Sequence, residues 1–384
     1  MRICMTKSYA ILFLFGFVCI CGCSEHEDTN NSEYVSIQPQ YDKISLQPTS
    51  DTIHLALDDK SFSTIRSVNS FQQDSVVYLA IHDKRLENIN IYEALTGKKV
   101  KRIKLKRYLD DQIYKPSSFT KNFDSIYVSN YQSLTLLDSS GKVKAKYDFV
   151  DDPPLSWSLI GNDNPVYSKD NKLYTAVRNN VNEKSLKKIQ KWKLFYEYDL
   201  STGKAELRYN FPDKFRHSIH GYRFLNSSYC YNDSGRFVIS FAGDSLVYET
   251  DFKGYHKSYY AKSVSQTTVL PEIKADEFSD EKAFENFLFT DAYSSIFYDN
   301  SKKYYLRIFR QKITKAEYQS KQWSVKQSVI IMDQNHAIIG EGAVDPNIWL
   351  ESIFFMPDGN IYARVNSKDE YALHFVRLEY VSIN

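Results

Sequence analysis

A strand–turn–strand unit that recurs along the chain constrains the fold more than any other feature. Its clearest copy is Leu194 to Phe211, LFYEYDLSTGKAELRYNF, where two apolar and aromatic runs flank Asp199-Leu200-Ser201-Thr202-Gly203. Gly203 suits a turn position with φ > 0, because a residue without Cβ enters that region without strain. Weaker copies place Gly97, Gly141, Gly254 and Asn335 at the same point, at steps of 44, 62, 51 and 81 residues along the chain. A separate strand-like segment precedes each turn: Val76–Ile81, Ser125–Ser129, Lys172–Val177, Arg236–Phe241 and Lys303–Phe309.

One strand, a loop and a hairpin make up a propeller blade, and blades repeat at ~40–50 residues with four short strands each. The expected fold is therefore an all-β, six-bladed propeller. Six blades over about 335 residues give roughly 56 each, and loop insertions account for the excess. The last segments, Asn360–Val365 and Ala372–Leu378, fall short of a full blade, so Ile53–Leu57 is expected to supply the missing strand and close the ring. Two β-sandwiches also use short, regularly spaced strands, but their turns would not recur in one strand–loop–hairpin context. The 30 Tyr and 24 Phe, against 13 Gly and 10 Pro, suit pleated, half-buried surfaces. Two stretches depart from β alternation. Ser279–Leu288 places Ala283, Phe284, Phe287 and Leu288 on one helical face, with Ser279 set to cap it, and this insertion explains the 81-residue step. Glu183–Lys193 reads as a short helix or a basic loop.

The N-terminus carries an address. Arg2 and Lys7 precede an apolar run from Ala10 to Cys21, the layout of a secretory signal and too short to span a bilayer. Ile20-Cys21-Gly22-Cys23 resembles a bacterial lipobox. The resemblance implies removal of residues 1–22 and lipidation of Cys23, an anchor to the outer membrane. Several acyl chains, at ~0.8 kcal/mol per buried CH₂, hold a protein stably where one would not. Ser24-Glu25-His26-Glu27-Asp28 resembles the surface-export signal of Bacteroidetes lipoproteins, and residues 23–48 then read as a flexible polar tether to a propeller domain at 49–384.

Removing Arg2 and Lys7 leaves 47 basic and 47 acidic residues, so the mature chain lacks the basic surplus of a general nucleic-acid binder. Four of the five cysteines lie within the first 23 residues, which leaves Cys230 alone and rules out a disulfide framework in the body.

Phe211-Pro212, Cys230-Tyr231-Asn232-Asp233, Thr250–Gly254, Tyr259-Tyr260-Ala261, Ile330–Asp333 and Ile339–Glu341 resemble the Bacteroidetes lipoproteins of domain-of-unknown-function family 4221. That resemblance covers the mature chain and implies a TolB-like six-bladed propeller. It brings no assigned activity and no catalytic residues.

No His-Glu-x-x-His, Gly-x-Ser-x-Gly, Walker loop or Gly-x-Gly-x-x-Gly occurs, so no cofactor or metal is expected. His217 and His220 sit three apart in a segment that looks like a blade-connecting loop, and Arg223 follows. His220, Arg223, Trp157 and Trp349 are the candidate ligand-binding residues, with Trp192 and Trp323 also near inter-strand loops. Aromatic rings at loop tips stack on sugars or anchor a partner, and core packing is the competing reading of these tryptophans. Lys98–Arg107 carries seven basic residues interleaved with Val100, Ile103 and Leu105, a solvated outer face over an apolar inner one, or a polyanion contact. Asp138, Asp199, Asp251 and Asp333 recur at turn starts, where an acid repeated in every copy stabilises the turn. Cys230 reads as a buried small residue.

The expected protein is a surface-exposed outer-membrane lipoprotein whose propeller binds an envelope protein, a peptide or a glycan. A glycan-active hydrolase or lyase using the central funnel, with acids such as Asp163, is the competing class, and a structural spacer is the third. Cells fed a fatty-acid analogue should label the wild-type chain and not Cys23→Ala. An unlabelled wild type contradicts the anchor.

Overall fold

The structure, a computed structural model, describes residues 32–105, 116–130, 133–150, 157–177, 185–321 and 325–383. Six antiparallel sheets follow one another along the chain as the blades of one ring. Blade 1 runs from its inner strand Ile65–Gln73 through Val76–Asp83 and Asn88–Glu93 to the outer Lys99–Lys104. Blade 2 comprises Ser117–Asn122, Ser125–Ser129, Ser133–Leu137 and Val143–Asp148. Blade 3 has a divided inner strand, Ser158–Leu159 and Tyr167–Lys169, then Lys172–Val177, Lys193–Asp199 and Ala205–Asn210. Blade 4 is Ser227–Tyr231, Phe237–Phe241, Leu246–Thr250 and His256–Tyr260; blade 5 is Ala292–Asp299, Tyr304–Arg310, Gln327–Met332 and Ile338–Val344.

Blade 6 is built from both ends of the chain. Ile348–Phe355, Ile361–Val365 and Ala372–Ser382 receive Ile44–Ala56 as their outer strand, with Ile53 opposite Phe375 and Leu55 opposite Leu373. The expected closure by Ile53–Leu57 is thus present, on a longer strand. The expected tether boundary at residue 48 is corrected. Ile44–Pro48 already pairs with Leu378–Ser382, and Glu33–Val35 lies parallel to Lys257–Tyr259 on the outer edge of blade 4. The physical reason is edge protection: an uncovered outer strand leaves a row of unpaired N–H and C=O groups. Val35, Ile37 and Tyr41 pack on the cluster between blades 4 and 5, and Tyr41 Oη donates to Lys262 O at 2.8 Å.

The recurrent aspartates stabilise their turns. Asp199 Oδ1 accepts from Ser201 N and Thr202 N, each at 3.0 Å; Asp138, Asp251 and Asp333 likewise accept from the backbone N–H two residues on. Gly97, Gly141 and Gly203 carry positive φ as expected, but in the fourth turn Phe252 does so in place of Gly254, and in the fifth it is His336. Between blades 3 and 4 the aromatic surplus becomes core: Phe195, Tyr209, Tyr229, Phe237 and Phe252 form one ring-on-ring cluster, with Phe237 and Phe252 stacked at 4.6 Å. Asp280–Leu288 is helical, and Ser279 Oγ accepts from Lys282 N at 3.1 Å as its cap. Leu186–Lys191 is the second expected helix.

The closing strand approaches blade 5 closely at Gly340, where a Cβ would stand 1.8 Å from Ile44 O. Gly340→Ala should therefore push the closing strand outward and cost about 3 kcal/mol, the range of overpacked sites. An unchanged urea midpoint would contradict this packing.

Candidate functional site

The six inner strands run in one sense around the axis, and two cavities lie at their opposite ends. The first, about 480 Å³, is lined at the strands' starts by Ser67, Ser118, Ser158, Ser228, Ser295 and Glu351, one residue from each blade. The second, about 720 Å³, lies beyond them among Phe119, Tyr167, Tyr231, Tyr298 and Phe354.

Blade 3 separates the two. Leu159 pairs with Ala176 and Tyr167 with Tyr174, so Ile160–Val166 stands opposite the single residue Thr175. This excursion crosses the axis. Asn162 Nδ2 donates to Glu351 O at 2.7 Å and Ile353 O at 2.9 Å, on the blade facing blade 3 across the ring. Asp163 O accepts from Ser228 Oγ at 2.7 Å and Tyr229 N at 3.3 Å, in blade 4. Tyr229 Oη donates to Pro165 O, and Gly161 N closes a turn onto Asn164 O at 3.0 Å. Gly161, Asp163 and Asn164 face the first cavity, while Asn162 and Pro165 face the second. The excursion is a strap tied at both ends, and the first cavity is a blind funnel.

One wall of that funnel comes from the Asp280–Leu288 helix. Gly221, at φ +90, meets it so closely that a Cβ would stand 2.8 Å from Ala283 Cβ. Docking there places the Arg223 guanidinium 4.8 Å from the centre of the Phe284 ring and 5.6 Å from that of Phe287, an electrostatic attraction between a cation and ring faces. Arg310 sits 4.3 Å from the Phe287 centre on another side and donates to Phe287 O and Thr290 O, the carbonyls at the helix end. Burial lowers the Arg310 pKa to about 10. Arg223 has no ion pair among the described residues. Arg66, also in the lining, is engaged: its NH2 lies 2.6 Å from Glu87 Oε1.

Glu87 Oε2 holds His82 Nε2 at 2.9 Å, and His82 Nδ1 meets Ser118 Oγ at 2.9 Å. This chain imitates a nucleophile–base–acid relay, but Ser118 is 4% exposed and its hydroxyl is spent between blades 1 and 2. Burial lowers the His82 pKa and keeps the ring neutral, so the chain is an inter-blade clamp. Arg307 is a second clamp, 0% exposed, donating to Ser240 Oγ and Ala261 O at 2.9 Å and lying 3.6 Å from the Tyr293 ring centre.

The structure brings Trp157, Arg223 and Asp163 together in the funnel and leaves the other candidates outside it. His220 is buried, its Nδ1 2.8 Å from Pro271 O, beside a separate cleft with Lys214 and Glu272; His217 is exposed. Among the described residues no group of three or more metal-ligating side chains converges. Trp349 is corrected from loop to strand: it lies within Ile348–Phe355 and lines a shallow cleft with Asn347 and Asn366. Trp192 is core at 4% exposure, and Trp323 lies outside the described residues, as do Cys23 and the signal segment. Cys230 is buried, which pushes its thiol pKa up. Lys99 and Arg102 share the single carboxylate of Asp58, at 2.9 and 2.5 Å, and Val100 faces outward where an inward position was expected.

Sequence reasoning missed the strap, Glu351 and the buried serines, which Ser352 extends into blade 6. A signal existed in the serines: Ser67-Val68, Ser118-Phe119, Ser158-Leu159, Ser228-Tyr229, Ser295-Ile296 and Ser352-Ile353 each put a serine before an apolar residue.

Asp163 lies deep yet opens to the funnel, and burial, followed by the charge of Glu351, pushes its carboxyl up to about 6. A carboxyl raised in the folded state is neutral there below that value and costs stability as pH rises through it. Asp163→Asn should therefore raise the melting temperature at pH 8, by the equivalent of ~2 kcal/mol, and the gain should shrink toward pH 4. A pH-independent effect would contradict the burial.

A protein of the same family from Bacteroides vulgatus, known from its crystal structure, superposes with a TM-score of 0.75 at 20% identity, over 89% of this chain and 100% of its own. A Bacteroides fragilis protein aligns with a TM-score of 0.53 at 11% identity, over 90% and 99%. A virginiamycin B lyase from Staphylococcus aureus reaches only 0.44 at 10% identity, over 88% and 99%, too slight a likeness to carry an argument. These likenesses show the fold alone. No curated protein matches the chain. The family model described as "Domain of unknown function (DUF4221)" matches residues 43–343, and the chain belongs to that family.

Proposed function

We propose that this is a lipid-anchored protein of the outer membrane, exposed at the surface, whose propeller binds an envelope glycan in the blind funnel. The anchor is supported by the lipobox-like Ile20–Cys23 and the acidic Ser24–Asp28 that follows it. One observation carries the binding reading: a funnel drawing on all six blades and floored by the strap, in which Arg223 is held between aromatic rings with no ionic partner among the described residues. Trp157 and Tyr222 bring aromatic rings, and Asn164 and Asn226 bring amides, to the same lining. Asn164 is 1% exposed and its Oδ1 has no partner among the described residues. Ring faces with convergent polar groups suit a sugar, which presents apolar C–H faces and hydroxyl edges. The strap blocks the axis, so a polypeptide cannot thread through it.

The soluble chain from Ser24, offered to arrayed neutral and acidic glycans, should capture a defined subset stoichiometrically. Trp157→Ala and Arg223→Ala should each weaken that capture about 10-fold or more, at ~1–3 kcal/mol per anchoring side chain, with the fold intact. Capture indifferent to both substitutions, or no capture at all, would contradict the reading.

A further inference from the structure

We propose that the funnel also hydrolyses the glycosidic bond of its ligand, with Asp163 and Glu351 as the two working carboxylates. The inference rests on the funnel being the glycan site.

Geometry brings the pair together. Asp163 follows the strap residue whose side chain is fastened to the Glu351 main-chain carbonyl at 2.7 Å, so residues of facing blades lie in one funnel lining. The other strap bonds, from Ser228 and Tyr229 to Asp163 O, fix the backbone under the Asp163 side chain. Both carboxylates belong to the funnel lining, and neither has an ion pair among the described residues. Of the two arginines in the lining, Arg66 holds Glu87 and Arg223 lies against the Phe284 and Phe287 rings. Burial of Asp163, with the charge of Glu351 beside it, destabilises the fold, and such groups concentrate where they act on a ligand.

The environment of Asp163 suits proton donation. Burial, with the Glu351 charge beside it, keeps Asp163 protonated up to about pH 6, which makes it a proton donor in the mildly acidic range. Asp163 gives its proton to the glycosidic oxygen as the bond from that oxygen to the anomeric carbon breaks, and the departing sugar leaves as an alcohol. Water adds to the anomeric carbon and Glu351 takes the proton that water releases. One water is consumed and two chain ends are formed; exchange with solvent returns the proton to Asp163. Arg223 and Trp157 would hold the sugar against the pair without taking part in the bond changes.

The test uses reducing-end-labelled neutral and uronic-acid oligosaccharides with the soluble chain from Ser24, reading binding and cleavage on the same samples. The expected result is cleavage of bound oligosaccharides whose rate falls as pH rises through about 6, the point at which Asp163 loses its proton. Asp163→Asn and Glu351→Gln should each lower kcat ~10²–10⁴-fold while the dissociation constant stays within a few-fold of wild type. Retained binding also shows that both variants fold. Bound oligosaccharides recovered uncut overturn the hydrolysis and leave the binding reading standing. Cleavage that survives both substitutions overturns the assignment of the carboxylates. Failure to bind any member of the panel overturns the binding reading and the hydrolysis with it.

Discussion

The pairing of Ile44–Ala56 with Ala372–Ser382 is the constraint on which the ring depends, because it joins the two ends of the described chain in one blade. Without it blade 6 would end on an open edge and the inner strands would not be held around a common axis. The strand does this in two halves. Its register shifts between Pro48 and Thr52, where a proline that cannot donate to the ladder sits at the irregularity. The first half then reaches blade 5 at Gly340 while the second half completes blade 6. Residues before it continue along the outer edges to blade 4. The N-terminal segment is a rim as well as a lock.

Closing six blades leaves little room at the axis, and the residues there show it. A serine at the corresponding place of each inner strand is small enough to fit and polar enough to bond across blades; Ser228 Oγ both donates to Asp163 O and accepts from Ile296 N at 3.0 Å. Blades 1, 2, 4, 5 and 6 keep a continuous inner strand, whereas blade 3 spends its own as a strap across the channel. The helix before blade 5 then supplies a wall at the same end. Regular repeats build the cylinder, and the two irregular segments turn one end of it into a blind, chemically distinct funnel.

That division explains what could be read in advance. Leu194–Phe211 and its echoes gave strands, turns and blade number, because alternation and turn aspartates are local signals with a fixed period. Ser279–Leu288 was equally legible, since cap, acids and apolar face all lie within one stretch of ten residues. The site was not local. Trp157 and Arg223 stood among four separate candidates, and nothing in their sequence neighbourhoods says that residues so far apart share a cavity with Glu351. Ile160–Val166 reads as an ordinary loop until its Asn162 is seen bonded across the ring. His220 and Trp349 looked alike on composition and differ only in where the ring carries them: one into a buried contact with Pro271, the other onto a blade away from the axis.

The central claim is that the functional end of this ring is the blind funnel above the Ile160–Val166 strap. A crystal structure of the soluble chain with a captured oligosaccharide tests it most directly. The account predicts sugar density between Trp157 and Arg223, ending at Asp163 and Glu351, with Asn162 still bonded to the Glu351 and Ile353 carbonyls. Sugar bound instead among Tyr167, Tyr231 and Tyr298 at the other end, or a strap withdrawn to leave an open channel, would contradict it.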